Sequence, residues 1–131
     1  MKLFIIEDSV LMIARIAQAA LSISGVTVVG SANKASRAVR AIEAVEPDAF
    51  VVDIHLPDGN GLAVLKTTKS ARPEVRSVVF TNSTGEPYRR AAFAAGADHF
   101  LDKSTEFGML LLILNGWAKH RSAQIVASAS P

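Results

Sequence analysis

Short apolar runs and helix-period segments take turns along this chain. Residues 3–6, 26–29, 49–52 and 75–80 are mostly apolar, long enough for a buried strand and too short for a helix, and 98–101 reads as a fifth, shorter strand. Between them apolar residues recur every three or four positions. Val10, Leu11, Ile13, Ala14, Ala17, Ala20 and Leu21 mark a first helix. Ala35, Ala38, Val39, Ile42 and Val45 mark a second over 34–46, stopped by Pro47. A third is predicted over 61–70, ahead of Arg72-Pro73, and a fourth over 86–95 with Gly96 just beyond it. The last is predicted from 105 to about 121, with Ser104 or Thr105 as its cap. This alternation predicts an α/β domain: a doubly wound, five-stranded parallel sheet with helices on both faces and right-handed crossovers. Residues 1–121 form one domain in this reading, and 122–131 a short, flexible C-terminal tail.

Several polar residues fall at the ends of the predicted strands. Glu7 and Asp8 follow the first, Asp53 the third, Thr81 the fourth and Lys103 the fifth. The carboxyl ends of an open parallel sheet share one crevice, so these distant residues are expected to meet there. Carboxylate oxygens suit a hard divalent cation, an ionised carboxylate is an oxygen nucleophile, and an ammonium and a hydroxyl can neutralise a transferred phosphoryl group. Singly, each has a plain structural reading: Asp and Thr favour turns, and Lys is usually solvated. Their joint occurrence at strand ends carries the argument.

Composition narrows the field. With 131 residues, 50% hydrophobic and 20% charged, the chain has enough apolar surface for one proper core. It has no cysteine, which excludes disulfides, thiol chemistry and cysteine-based zinc sites. The net charge of +2 comes from scattered basic residues, so no DNA-binding face is expected. No apolar stretch approaches the ~20 residues of a membrane span, and no leader pattern opens the chain. A cytoplasmic protein is expected.

The acidic pair Glu7-Asp8, the segment DIHLPDGNG at Asp53, Thr81 and Lys103, in this order and at these strand ends, resemble a receiver domain of a two-component response regulator over roughly residues 1–121. The resemblance implies a flavodoxin-like sheet of strand order 2-1-3-4-5. It implies that Asp53 is the phosphoacceptor and that Mg²⁺ is held by Asp8, Asp53 and the His55 backbone carbonyl, with Glu7 acting through a bound water. It implies that Lys103 contacts the phosphoryl oxygens, that Thr81 donates its hydroxyl to them and moves on their arrival, and that Phe100 is the aromatic switch. The donor is then a sensor histidine kinase or a histidine phosphotransfer protein, and the domain is a signalling switch, not an enzyme in its own right. The chain departs from the family at Ser104, where Pro is frequent, and at Asn82, where a small residue is frequent. His55 and Asn82 are expected to tune phosphoryl lifetime.

Two further expectations concern output. The last helix carries two apolar stripes, one through Phe107, Leu110, Leu111, Leu114, Trp117 and Ala118, the other through Met109, Leu112, Ile113 and Gly116. A helix on one face of a sheet needs a single stripe, so the second predicts a partner surface such as a homodimer through Met109, Leu112 and Ile113. The stretch after that helix is too short for a helix-turn-helix, so a stand-alone regulator acting through protein contacts is expected. A receiver-like interaction module that never uses phosphate is the alternative, though it would be expected to have lost Asp53, the acidic pair or Lys103. A flavin domain of this fold would need a phosphate-cradling loop where Glu7-Asp8 stand.

Overall fold

The computed structural model describes the backbone of residues 1–129 and the side chains of residues 1–128; the last two residues of the expected tail lie outside the described residues. The elements run β1 (Lys2–Ile6), α1 (Val10–Ala20), β2 (Thr27–Ala32), α2 (Ala35–Val45), β3 (Ala49–Val52), β4 (His55–Leu56), β5 (Gly59–Asn60), α3 (Gly61–Ala71), β6 (Arg76–Thr81), α4 (Glu86–Ala94), β7 (His99–Asp102) and α5 (Phe107–Ala129). Five strands form one sheet in the order β2-β1-β3-β6-β7, each neighbouring pair parallel. Counting only those five, the order is the expected 2-1-3-4-5.

Alternation within the strands divides the core in two. Phe4 and Ile6 of β1, Phe50 and Val52 of β3 and Phe100 of β7 face one layer, where Ile42 of α2, Leu65 of α3 and Ala92 of α4 pack. Leu3, Ile5, Ala49, Val51, Val78, Phe80 and Leu101 face the other, against Ile16 of α1 and Leu110 and Leu114 of α5. A strand covered on both faces must be apolar at every position, and all four residues of β3 are buried. Glu46 ends α2 in a left-handed conformation with Pro47 behind it, and Gly96 turns the chain after α4 at φ +110°.

Three sequence expectations change. First, α5 continues eight residues past 121, through most of the expected flexible tail; Arg121 is tied to Asp48 at 3.1 Å, and the segment beyond it holds no Gly or Pro before 130. Neither Ser104 nor Thr105 caps α5. The Glu106 carbonyl instead accepts the first helical bond, from Leu110 N–H, while the Glu106 carboxylate turns back to the Asp102 N–H at 2.9 Å. Second, Ile113 does not share the outer stripe of α5: it packs on the core with Trp117, while Met109 and Leu112 are exposed. At 100° per residue Ile113 lies beside Leu110 and Trp117, three and four positions away, so it flanks the core stripe. Third, Val10, Leu11 and Leu21 contribute to the apolar period of α1 but lie 76%, 84% and 80% exposed.

Candidate functional site

The five polar residues singled out at strand ends converge at the carboxyl edge of the sheet. Three of them, Glu7, Asp53 and Lys103, are set by a ladder bond made just past the end of a strand. Glu7 N–H donates to the Ala32 carbonyl, Asp53 N–H to that of Ile6, and Lys103 N–H to that of Thr81, at 3.0, 3.0 and 2.9 Å. The backbone of three strands thereby fixes where the side chains begin.

Carboxylate oxygens of Glu7, Asp8 and Asp53 lie within 4.8 Å of one another. Lys103 Nζ stands 2.6 Å from Asp53 Oδ2 and 2.7 Å from Glu7 Oε2. Asp8 is exposed, whereas Glu7 and Asp53 are buried. Ser9 N–H donates to Glu7 Oε1 at 3.1 Å, while the Ser9 hydroxyl accepts from Met12 N–H and caps α1. Burial pushes the Glu7 carboxyl above its ordinary range, against the opposing pull of the Lys103 ammonium and the Ser9 N–H. For Lys103, burial alone would pull the ammonium down, but hydrogen bonds and charge from Asp53 and Glu7 outweigh it and hold it above the usual lysine value.

The donor set fits a magnesium-type cation. All three donors are oxygen, and three carboxylates against one ammonium leave two negative charges uncompensated when ionised. Such a set is expensive to keep close together unless a divalent charge is bound beside it.

Thr81 is fully buried at the end of β6 and accepts a hydrogen bond from Ser83 N–H at 3.1 Å, which leaves its own hydroxyl proton free to be donated. The Ser83 hydroxyl in turn lies 2.6 Å from His55 Nε2, and the His55 ring meets Tyr88 edge-on at 5.7 Å. The exposed His55 side chain thus joins the loop after Asp53 to the loop after Thr81. Asn82 is exposed between them. Ser83 and Tyr88 escaped the sequence reading, although a Thr-x-Ser step at a strand end is a recognisable side-chain turn. Phe100 lies inside the core, and Arg89 of α4 stands over its ring at 5.9 Å.

Gly61 supports the acceptor from behind. A Cβ there would lie 1.8 Å from the Asp53 carbonyl oxygen. Its N–H donates to the Ile54 carbonyl at 2.7 Å, and Asn60 caps α3 through Leu62 N–H. After Lys103, where Ser104 replaces the frequent proline, the Asp102 carboxylate organises the turn by accepting from the Ser104 N–H and hydroxyl at 2.8 and 2.6 Å. Those bonds, the Ser104 hydroxyl first, hold the Asp102 carboxyl below the usual aspartate value. A polar cleft of about 620 Å³ lies at the opposite edge of the sheet, where Arg72–Glu46, Arg121–Asp48 and Lys69–Asp98 form ion pairs among its lining residues.

Residues 3–115 match the sequence model of the response regulator receiver domain. A protein-glutamate methylesterase/protein-glutamine glutaminase of Clostridium acetobutylicum is 29% identical over 104 residues, covering 78% of this chain and 30% of that protein. The DNA-binding transcriptional activator DevR/DosR of Mycobacterium tuberculosis is 28% identical over 102 residues, covering 78% of this chain and 47% of the relative. The chain therefore spans less than half the length of these relatives. Among solved structures, the response regulator domain of Thermotoga maritima CheB has a TM-score of 0.78 at 24% identity, covering 92% of this chain and 94% of that one. A CheY-like receiver domain protein of Methanospirillum hungatei has a TM-score of 0.82 at 21% identity, covering 94% and 97%. Those structures share the fold with this chain.

Proposed function

The chain belongs to the response regulator receiver domain family of two-component signalling, and on that premise we propose that Asp53 accepts a phosphoryl group from a phosphohistidine donor in a Mg²⁺-dependent reaction. The single observation that carries the reading is the contact of Lys103 Nζ with Asp53 Oδ2 and Glu7 Oε2 inside a three-carboxylate cluster. A half-buried ammonium aimed at the acceptor stands where the charge of a transferred phosphoryl group develops.

Asp8, Asp53 and the His55 carbonyl would hold Mg²⁺, with Glu7 acting through water; when bound, the ion would supply neutralising charge for phosphate oxygens. The chain's own groups do the rest. Asp53 presents a carboxylate oxygen to the phosphorus, the phosphorus–nitrogen bond of the donor breaks as the new phosphorus–oxygen bond forms, and the leaving imidazole takes its electron pair. Lys103 gives up its bond to Asp53 Oδ2 and turns to a phosphoryl oxygen. Thr81 donates its free hydroxyl proton to another, exchanging its bond from Ser83 N–H for one that brings it forward. The exposed Val10 and Leu11 beside Asp8 offer an apolar landing for a sensor histidine kinase or a histidine phosphotransfer protein. Phe100 and the α4–β7–α5 surface carry the change outward as a biased two-state equilibrium, altering protein contacts there. The exposed Met109 and Leu112 on α5 suit a second copy of the chain.

Beryllofluoride with Mg²⁺ tests the reading by amide chemical shifts. Saturable shifts at Thr81, Lys103 and α4, absent in Asp53→Asn, are expected. An Asp53→Asn variant that still forms a hydroxylamine-sensitive adduct with a small phosphodonor refutes the assignment of Asp53.

A further inference from the structure

The hairpin β4–β5 leaves Asp53 and carries His55 within it, so whatever fixes the hairpin fixes that backbone carbonyl. Its base is held by Gly61 N–H on the Ile54 carbonyl, and its middle by the buried Leu56. Its tip is the two-residue turn Pro57-Asp58, and there Asp58 reaches a different element. Asp58 Oδ1 accepts from Ala35 N–H at 2.7 Å and Oδ2 from Ser36 N–H at 3.1 Å. These are the first two N–H groups of α2, 22 and 23 residues away along the chain.

The helix has no cap of its own. Lys34 holds the extended N-cap conformation, φ −138° and ψ 144°, but makes no side-chain bond to the helix. The Lys34 carbonyl accepts from Arg37 and Ala38 N–H, but a lysine side chain carries no acceptor, so the N–H groups of Ala35 and Ser36 need one from elsewhere. Asp58 supplies one with a carboxylate, the form best matched to the positive end of the helix. Contact is close: a Cβ on Gly59 would lie 3.2 Å from Ala35 Cβ. The Ser36 side chain, followed by the Ser36 and Ala35 N–H groups, holds the Asp58 carboxyl below its ordinary value, which agrees with the geometry.

We propose that Asp58 is a positioning residue for the cation site: by clamping the hairpin tip to the N-terminus of α2, it holds the His55 carbonyl at the distance from Asp8 and Asp53 that Mg²⁺ requires. A local cap at position 34 would serve α2 equally well. Only an acceptor on the hairpin serves both the helix and the loop. The inference rests on the cation reading above, in which the His55 carbonyl is one ligand among several. Outer partners that orient a metal ligand commonly change affinity on the order of tenfold or more.

The test is Mg²⁺ binding by calorimetry on the full chain, with Tm read in metal-free buffer, and it needs no phosphorylation. Asp58→Ala is expected to weaken Mg²⁺ binding on the order of tenfold and to lower Tm. Asp58→Asn, which loses the charge but keeps an acceptor oxygen, is expected to retain most of the affinity. Adding Lys34→Ser to Asp58→Ala gives α2 a cap of its own; it should restore Tm and leave Mg²⁺ affinity low. The proposal is overturned if Asp58→Ala binds Mg²⁺ as the unmodified chain does, if Asp58→Asn is as weak as Asp58→Ala, or if Lys34→Ser restores affinity together with Tm. An unmodified chain that binds no Mg²⁺ overturns the cation reading itself, a result distinct from all three.

Discussion

Gly61→Ala adds one methyl group and should cost both stability and phosphorylation. The new Cβ would lie 1.8 Å from the Asp53 carbonyl oxygen, 2.9 Å from its carbonyl carbon and 2.9 Å from Val52 Cγ2. Real Cβ contacts essentially never fall below 3.0 Å, so the nearest pair must separate by about 1.2 Å, the difference between 3.0 and 1.8. A side chain could rotate away, but the obstructing atom is the backbone of the proposed acceptor. Moving Gly61 instead breaks its 2.7 Å bond to the Ile54 carbonyl and drags the first turn of α3. Overpacking a buried site typically costs about 1–3 kcal/mol, and displaced backbone at both ends places this variant near the top of that range. A reacting group misplaced by about 1 Å can lose about 100-fold in rate. Trp117, the only tryptophan, lies on α5 against the core layer of α1 and reports global unfolding in urea without sensing the acidic site. Phosphorylation by a small phosphodonor at saturating Mg²⁺ reports the acceptor. Gly116→Ala is the control: among the described residues, no atom beyond its chain neighbours and its own helix backbone lies within 4 Å of its Cβ position, so it should be neutral or stabilising by up to about 1 kcal/mol. Unchanged urea midpoint and rate in Gly61→Ala would refute the claim that close approach at Gly61 sets the acceptor.

Other outcomes follow from the same geometry. Lys103→Met should lower the phosphorylation rate yet tighten Mg²⁺ binding, because it removes a cation that contacts Asp53 Oδ2 and Glu7 Oε2; rate and calorimetric affinity moving together would contradict this. The folded pKa of Glu7 is raised above its ordinary 4.5, so the folded chain keeps that proton over a range where the unfolded chain has lost it. Its contribution to stability is thus fully present below 4.5 and lost as pH rises through the raised value. Metal-free unfolding curves should show that loss, and Glu7→Gln should flatten it. Leu112→Glu, on the exposed side of α5, should remove the proposed self-association, read by light scattering, and change stability by no more than about 0.5 kcal/mol. Ile113→Glu should instead lower Tm, because that side chain packs on the core.

Much of the architecture was readable because its signals are local. The run 49–52 is apolar at every position and emerged as β3 with the same bounds, since a central strand buried on both faces leaves no other pattern. The acidic pair, Asp53, Thr81 and Lys103 were readable as a set because parallel topology brings strand ends together whatever their separation in sequence. What stayed hidden depends on tertiary contact. The pairs His55–Leu56 and Gly59–Asn60 are too short to show alternation, so the hairpin leaves no strand pattern in the sequence. The bonds from Asp58 to α2 span 22 and 23 residues, and Pro-Asp-Gly alone says only that the chain turns. Two apolar stripes on α5 cannot be ranked from sequence alone, because only packing shows that Ile113 flanks the core stripe beside Trp117. The end of α5 is hard to place from sequence because small residues such as Ser and Ala suit a tail, although alanine is the strongest helix former.

Intact-mass measurement after incubation with a small phosphodonor, with and without Mg²⁺, tests the central claim most directly. One added phosphoryl group is expected, present with Mg²⁺, absent under chelation, and mapping to the peptide that contains Asp53. A full-length spectrum that stays at the mass of the unmodified chain under both conditions, or an adduct that maps to any other residue, contradicts the account.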